Sequence, residues 1–167
     1  MSKFICTTQV TASPDAGEDI TISMSEQSML NHLETALAAE NIRLTFLRKL
    51  VYLIIYRSKN KGITAYQILD FIKINKPKAA PITIYRSLSF LLHNKLIVKL
   101  GRKNKYYIRK ETKYSEVSIY MICSNCGLVE KITDFNFKII LEDIMLQRGY
   151  IPNDDFIEIS IICPKCQ

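Results

Sequence analysis

Four of the five cysteines in this 167-residue chain form two short motifs in its C-terminal part. The first motif is Cys123-Ser-Asn-Cys126 and the second is Cys163-Pro-Lys-Cys166. Each C-x-x-C motif places two thiolates on one tight turn, and two such turns supply the tetrahedral sulfur set that zinc prefers. Because four protein ligands leave no position open for a substrate, the pattern predicts one structural zinc ion.

A redox function is the alternative for a C-x-x-C motif. A redox-active C-x-x-C motif is typical of a thioredoxin-like βαβ unit, and the segments that flank these two motifs lack the βαβ pattern. Residues 1–8 also lack the sustained apolar stretch of a secretory signal. We therefore expect a cytoplasmic protein, where reduced thiols more often bind metal than form disulfides. The fifth cysteine, Cys6, is interpreted as an incidental thiol.

The basic residues are concentrated in one block of the chain. The net charge is only +7, but residues 41–110 contain 17 Lys and Arg and a single acidic residue, Asp70. A block this basic has the electrostatic character of a phosphate-binding module. The alternative is a solvated basic surface that has no partner.

Three predicted helices are the first elements that could position the basic residues. Apolar residues at helical spacing predict helices over 28–41 and 44–57. Thr64 and Gln67 form a capping-box pattern that starts the third helix. Residues 1–27 are polar and small, so a flexible extension is predicted there.

A fourth helix and a hairpin complete the pattern of a winged helix-turn-helix. Pro81 is well placed to start this helix, which runs to about His93. Strands over 96–100 and 106–109 flank a basic hairpin tip. In this fold the fourth helix enters the major groove and the hairpin, or wing, lies along the DNA backbone. The residues predicted to face outward from the helix are Thr83, Tyr85, Arg86, Ser87 and Ser89.

The remainder of the chain predicts a small α/β unit. Apolar, β-branched segments at 117–122, 128–132 and 156–162 flank one helix at about 135–148, which Gly149 ends. The predicted fold class is therefore α+β. Its predicted parts are the extension at 1–27, the winged-helix DNA-binding domain at 28–110, a hinge at 111–115 and a zinc-stapled domain at 116–167.

Several segments together resemble the ferric uptake regulator family, above all its zinc uptake regulator branch. They are Asn41–Arg48, Ile63–Tyr66, Pro81–Leu91, the basic wing and the paired cysteine motifs. The resemblance covers about residues 28–167. It implies a bacterial, homodimeric transcriptional repressor that dimerises through residues 116–167 and binds palindromic operator DNA when its metal sites are filled.

The resemblance also implies the DNA contacts. Tyr85 and Arg86 would face the groove, Arg48 would contact a phosphate, and Tyr66 would contact the backbone or a base. The other members of the predicted DNA-binding set are Thr83, Ser87, Lys103 and Lys105.

The chain departs from the family at the second, regulatory metal site. Family members have histidine- and cysteine-containing sequence between the wing and the first cysteine motif, whereas this chain has only His32 and His93, both outside that segment. The four positions that would carry the regulatory ligands hold Val98, Ile108, Glu116 and Lys131. Valine, isoleucine and lysine do not form a normal zinc or iron site. We therefore expect a degenerate sensing site, with DNA binding that is constitutive or answers another signal.

Two alternatives to this regulator remain open. Metal sensing could persist through unconventional ligands, with Glu111, Glu116 and Glu130 gathered near His93. The chain could instead be a zinc-stapled dimerisation or protein-interaction module that does not read DNA. An enzyme is not expected, because no Ser/His/Asp or Cys/His arrangement is evident and two histidines leave little acid–base chemistry near neutral pH.

Overall fold

The computed structural model describes residues 22–101, 104–109, 117–151 and 156–167. Residues 22–109 and 117–167 fall into two compact units. Several predicted features lie outside the described residues: most of the extension, Cys6, Lys103, Glu116 and the hinge at 111–115, which includes Glu111. Among the described residues, none of the helices combines the length and apolar character that a membrane span requires.

The described residues of the first unit form four α-helices, a short 3-10 helix (Lys59–Lys61) and a three-stranded sheet. Its helices are α1 (Met24–Ala38), α2 (Phe46–Ser58), α3 (Ala65–Asn75) and α4 (Pro81–His93). Its strands are β1 (Ile63–Thr64), β2 (Ile97–Leu100) and β3 (Lys105–Ile108), in the antiparallel order β1-β3-β2. The short β1 is an element that the sequence did not predict, because two residues cannot display an alternating pattern.

Side-chain caps determine where three of these helices begin. Ser23 and Glu26 form a capping box at α1, Thr45 caps α2, and Thr64 forms a capping box with Gln67 at α3 as predicted. The expected flexibility through residue 27 is therefore wrong for its last residues, since α1 already starts at Met24. Helix α4 has no side-chain cap and starts on a proline at its first position.

The core of this unit lies between α2, α3 and α4. Val51 and Ile55 of α2, Ile68 of α3, and Ile84 and Leu91 of α4 are all at most 1% exposed. Because α4 uses one face for this packing, its opposite face is free to meet a partner.

A close contact holds the wing base against the turn before β1. Gly62 has φ of +60°, and a Cβ at this position would overlap the ring of Tyr107. The Tyr107 hydroxyl and the Lys105 ammonium both donate hydrogen bonds to the carbonyl oxygen of Lys61, over 3.4 and 2.7 Å. Only glycine fits this approach without displacing the ring.

The described residues of the second unit form a three-stranded sheet with one helix. It contains β4 (Val117–Cys123), β5 (Val129–Asp134), α5 (Phe135–Gln147) and β6 (Phe156–Ile161), with the strands in the order β5-β4-β6. Strand β4 is antiparallel to β5 and parallel to β6. The parallel pair brings the carboxyl ends of β4 and β6, and the cysteine motif that follows each strand, to one edge of the sheet.

Candidate metal centre and nucleic-acid interface

The four cysteines of the two motifs form one cluster. The sulfur atoms of Cys123, Cys126, Cys163 and Cys166 all lie within 4.8 Å of one another. The sulfurs of Cys126 and Cys163 are 3.7 Å apart, far beyond a disulfide bond of about 2.05 Å. A tetrahedron with zinc–sulfur bonds of about 2.3 Å has edges of about 3.8 Å. The cluster therefore fits one zinc ion, and the predicted grouping of these cysteines is observed.

Hydrogen bonds between the two motifs hold the cluster together. The backbone N–H of Ser124 donates to the carbonyl of Ile161 over 2.8 Å, and the hydroxyls of Ser124 and Ser160 are 2.8 Å apart. Cys123 and Cys163 are buried. The sulfurs are thus positioned by the sheet edge itself.

The electrostatic surroundings favour the thiolate at the first cysteine. Backbone N–H groups of Cys126 and Cys163 donate hydrogen bonds to the Cys123 sulfur and lower its pKa from 9.0 to about 6. Burial raises the pKa of the Cys163 thiol. Since the thiolate is the form that binds metal, the lowered pKa prepares Cys123 to act as a ligand.

Helix α4 presents a polar and basic outer face. Thr83 and Arg86 are exposed, and Tyr85 is 42% exposed, as expected for residues that face a groove. The outward position predicted for Ser87 is wrong. Its side chain is only 5% exposed and its hydroxyl donates to the carbonyl of Thr83 over 3.0 Å, because position 87 turns toward the core.

Arg48 belongs to the first turn of α2, and its side chain contacts Phe90 of α4. Its guanidinium carbon is 3.4 Å from the centre of the Phe90 ring, and its Nη1 is 3.4 Å from the carbonyl oxygen of Arg43. The residue is half-buried, so it is not fully removed from solvent. Arg48 also contributes to packing, which the sequence did not indicate.

The remaining residues predicted to contact DNA belong to the start of α3 and to the wing. Tyr66 is 72% exposed in the first turn of α3. Lys105 is half-buried, and its ammonium is already bound to Lys61. Lys103 lies outside the described residues. Burial raises the pKa of Tyr106, and the neighbouring Tyr85 raises it further.

The positions that would carry the ligands of a regulatory metal site lie in surroundings that do not form such a site. Val98 is buried in β2, where it pairs with Tyr107, while Ile108 and Lys131 are half-buried. Within the described ranges, the cysteine cluster is the only group of three or more His, Cys, Asp or Glu side chains arranged to hold a metal.

Helix α5 exposes apolar residues that the sequence analysis did not single out. Ile140 is 57% exposed and Leu146 is 79% exposed. The other exposed apolar residues of this helix are Phe135, Phe137, Ile139 and Ile144. A helix with apolar side chains on its solvent side is typical of a protein–protein interface.

A winged helix-turn-helix and an α/β unit with a four-cysteine cluster define a two-domain transcriptional regulator. The model of the ferric uptake regulator family matches residues 39–160, and the chain belongs to this family. The predicted family and the predicted α+β fold class are thereby confirmed.

Similar proteins of known function and structure are zinc uptake regulators. The zinc uptake regulation proteins of Escherichia coli (strain K12) and Shigella flexneri are each 28% identical over 141 residues, covering 84% of this chain and 82% of theirs. A solved zinc uptake regulator complexed with zinc and DNA is 28% identical, with a TM-score of 0.76 over 86% of this chain and 96% of that one. Holo XcZur is 27% identical, with a TM-score of 0.69 over 83% and 96%.

Proposed function

We propose that this chain is a zinc-stapled, homodimeric repressor that binds operator DNA through α4. The observation that carries the proposal is the outer face of α4, which presents Tyr85 and Arg86 to solvent while Ile84 and Leu88 anchor the helix in the core. A recognition helix reads base edges from such a face. The similarity to a zinc uptake regulator complexed with zinc and DNA supports the proposal that this chain binds DNA.

Zinc would be held by Cys123, Cys126, Cys163 and Cys166. Four thiolates saturate a tetrahedral ion, so the bound metal stabilises the fold and supplies no reactive position. The hydrogen bonds to the Cys123 sulfur favour the thiolate form of this ligand. The role of this centre is to join β4 to β6.

Dimerisation would use α5. Burying its exposed isoleucines and leucine against a second copy would remove apolar surface from water, which favours association. A dimer also presents two α4 helices, which matches the two half-sites of a palindromic operator.

The second metal site is proposed to be degenerate. Val98 is buried in the small sheet, and neither it nor Ile108 offers a metal-binding atom. Operator binding would therefore need no metal beyond the structural zinc. The alternative function, an interaction module that does not bind DNA, would use α5 alone and leave the outer face of α4 without a partner.

Metal analysis combined with DNA selection tests the proposal. We expect one zinc per chain and enrichment of palindromic sequences from random DNA. Added zinc should leave the affinity unchanged, whereas an increase with a second equivalent would contradict the degenerate site. If no sequence is enriched and no DNA is retained at moderate salt, the interaction module is the correct function.

A further inference from the structure

Ile82 occupies a solvent-facing position that folding does not explain. It is 59% exposed in the first turn of α4, whereas Ile84, two residues later, is 1% exposed in the core. A large aliphatic side chain gains free energy only when it is removed from water. Within the first unit, Ile82 therefore contributes little to folding.

The position of Ile82 on the helix places it among the proposed DNA contacts. At about 100° per residue, Ile82 lies about 40° from Arg86 and about 60° from Tyr85 around the helix axis. The buried Ile84 and Leu88 are on the far side. Ile82 is thus near the centre of the exposed face, one turn before Arg86.

The start of α4 is also the part of the helix suited to reach bases. Pro81 begins the helix, and the N-terminal residues of a recognition helix are those that contact base edges. The preceding turn contributes the exposed Lys76 and Lys78, and no acidic side chain occurs between residues 71 and 110. The surroundings of Ile82 therefore attract a polyanion, although Ile82 itself is apolar.

We propose that Ile82 reads the C5-methyl group of a thymine in the major groove. This inference rests on the proposed function and adds a specificity-determining residue to it. The thymine methyl is the apolar group that a base edge presents in this groove, and cytosine lacks it. Contact between the two removes both apolar groups from water, so each half-site should prefer thymine at one position.

A double-mutant cycle tests the contact with the full-length, zinc-loaded protein. Each thymine of a selected operator is replaced singly by deoxyuridine, which lacks only the methyl group. At one position per half-site, we expect binding to weaken about fourfold, the value of one buried methyl group. Ile82→Ala should bind the thymine operator more weakly and should no longer respond to deoxyuridine there, while Ile82→Val should keep most of the response.

The matched control is Ile74→Ala, which truncates another exposed isoleucine on α3. It should retain the wild-type response at every position. Unchanged operator binding by Ile82→Ala would overturn the assignment, and so would a methyl response that persists in this variant but vanishes in Tyr85→Ala. If the wild-type protein enriches no DNA sequence, the proposed function fails and the Ile82 contact falls with it. Circular dichroism and zinc content establish that each variant is folded.

Discussion

The guanidinium of Arg48 stacks on the ring of Phe90, with 3.4 Å between the guanidinium carbon and the ring centre. This cation–π contact joins the first turn of α2 to the second half of α4. Arg48 thus combines a packing function with its proposed phosphate contact.

Two substitutions separate these functions of Arg48. Arg48→Lys keeps the charge but loses the planar stack, so we expect the free energy of unfolding to fall by about 0.5–1 kcal/mol with little change in salt dependence. Arg48→Gln should also lower the slope of log K against log salt by about 1. Chemical denaturation and binding titrations measure the two effects. An unchanged slope in Arg48→Gln would assign Arg48 to positioning alone.

Arg86 is expected to discriminate between sequences. Arg86→Ala should weaken operator binding by about 1–3 kcal/mol if the guanidinium binds a guanine edge, with a smaller loss on random DNA. Arg86→Lys, which keeps the charge without the bidentate geometry, is the matched control. Parallel titrations on both DNAs make the comparison, and equal losses would reduce Arg86 to a phosphate contact.

The ion pair between α1 and α2 makes stability depend on acid pH. Arg57 donates to both carboxylate oxygens of Glu26 over 2.8 and 2.9 Å and, with the capping bonds of Ser23, lowers the pKa of Glu26 from 4.5 to about 2. A lowered pKa contributes stability above pH 4.5 that is lost as the pH falls toward 2. Because Arg57 is 40% exposed, we expect only about 1 kcal/mol. Glu26→Gln should show a flatter profile over this range, and an unchanged profile would contradict the prediction.

Helix α5 should control the oligomeric state. Ile140→Asp places a charge on the exposed apolar face, and burying an unpaired charge in a dimer is costly. Sedimentation should detect monomers, and binding titrations should detect a loss of operator affinity. Ile74→Asp adds the same charge to α3 and should remain dimeric. A dimeric Ile140→Asp protein would place the interface elsewhere.

Loss of one cysteine should unfold the second unit. Cys163→Ser leaves three thiolates, and structural zinc can supply roughly 10–16 kcal/mol of apparent binding free energy to such a domain. We expect the variant to lose its zinc and the cooperative thermal transition of this unit, measured by metal analysis and calorimetry. Cys6→Ser should behave as wild type. Retention of one zinc with an unchanged transition would contradict the assignment of Cys163.

Local patterns predicted most of the elements of this molecule. Some of the features that they missed depend on pairings between residues far apart in the chain. The spacing of the cysteines identified the cluster, but the parallel pairing of β4 with β6 that unites it has no local signal. Glu26 lies in a polar segment that appeared flexible, and its partner Arg57 is 31 residues away. Ser87 was expected outside because it is polar, yet a serine can satisfy its hydroxyl within its own helix and be buried.

The two cysteine motifs meet at one edge of the sheet, and this arrangement determines where the second unit can accept inserted residues. A metal bound by Cys126 and Cys163 closes a loop between residues 37 positions apart. The entropy cost of closing a flexible loop grows only with the logarithm of its length, by about 0.6 kcal/mol for each doubling. The second unit should therefore tolerate insertions between α5 and β6 far better than a change of register between β4 and β6.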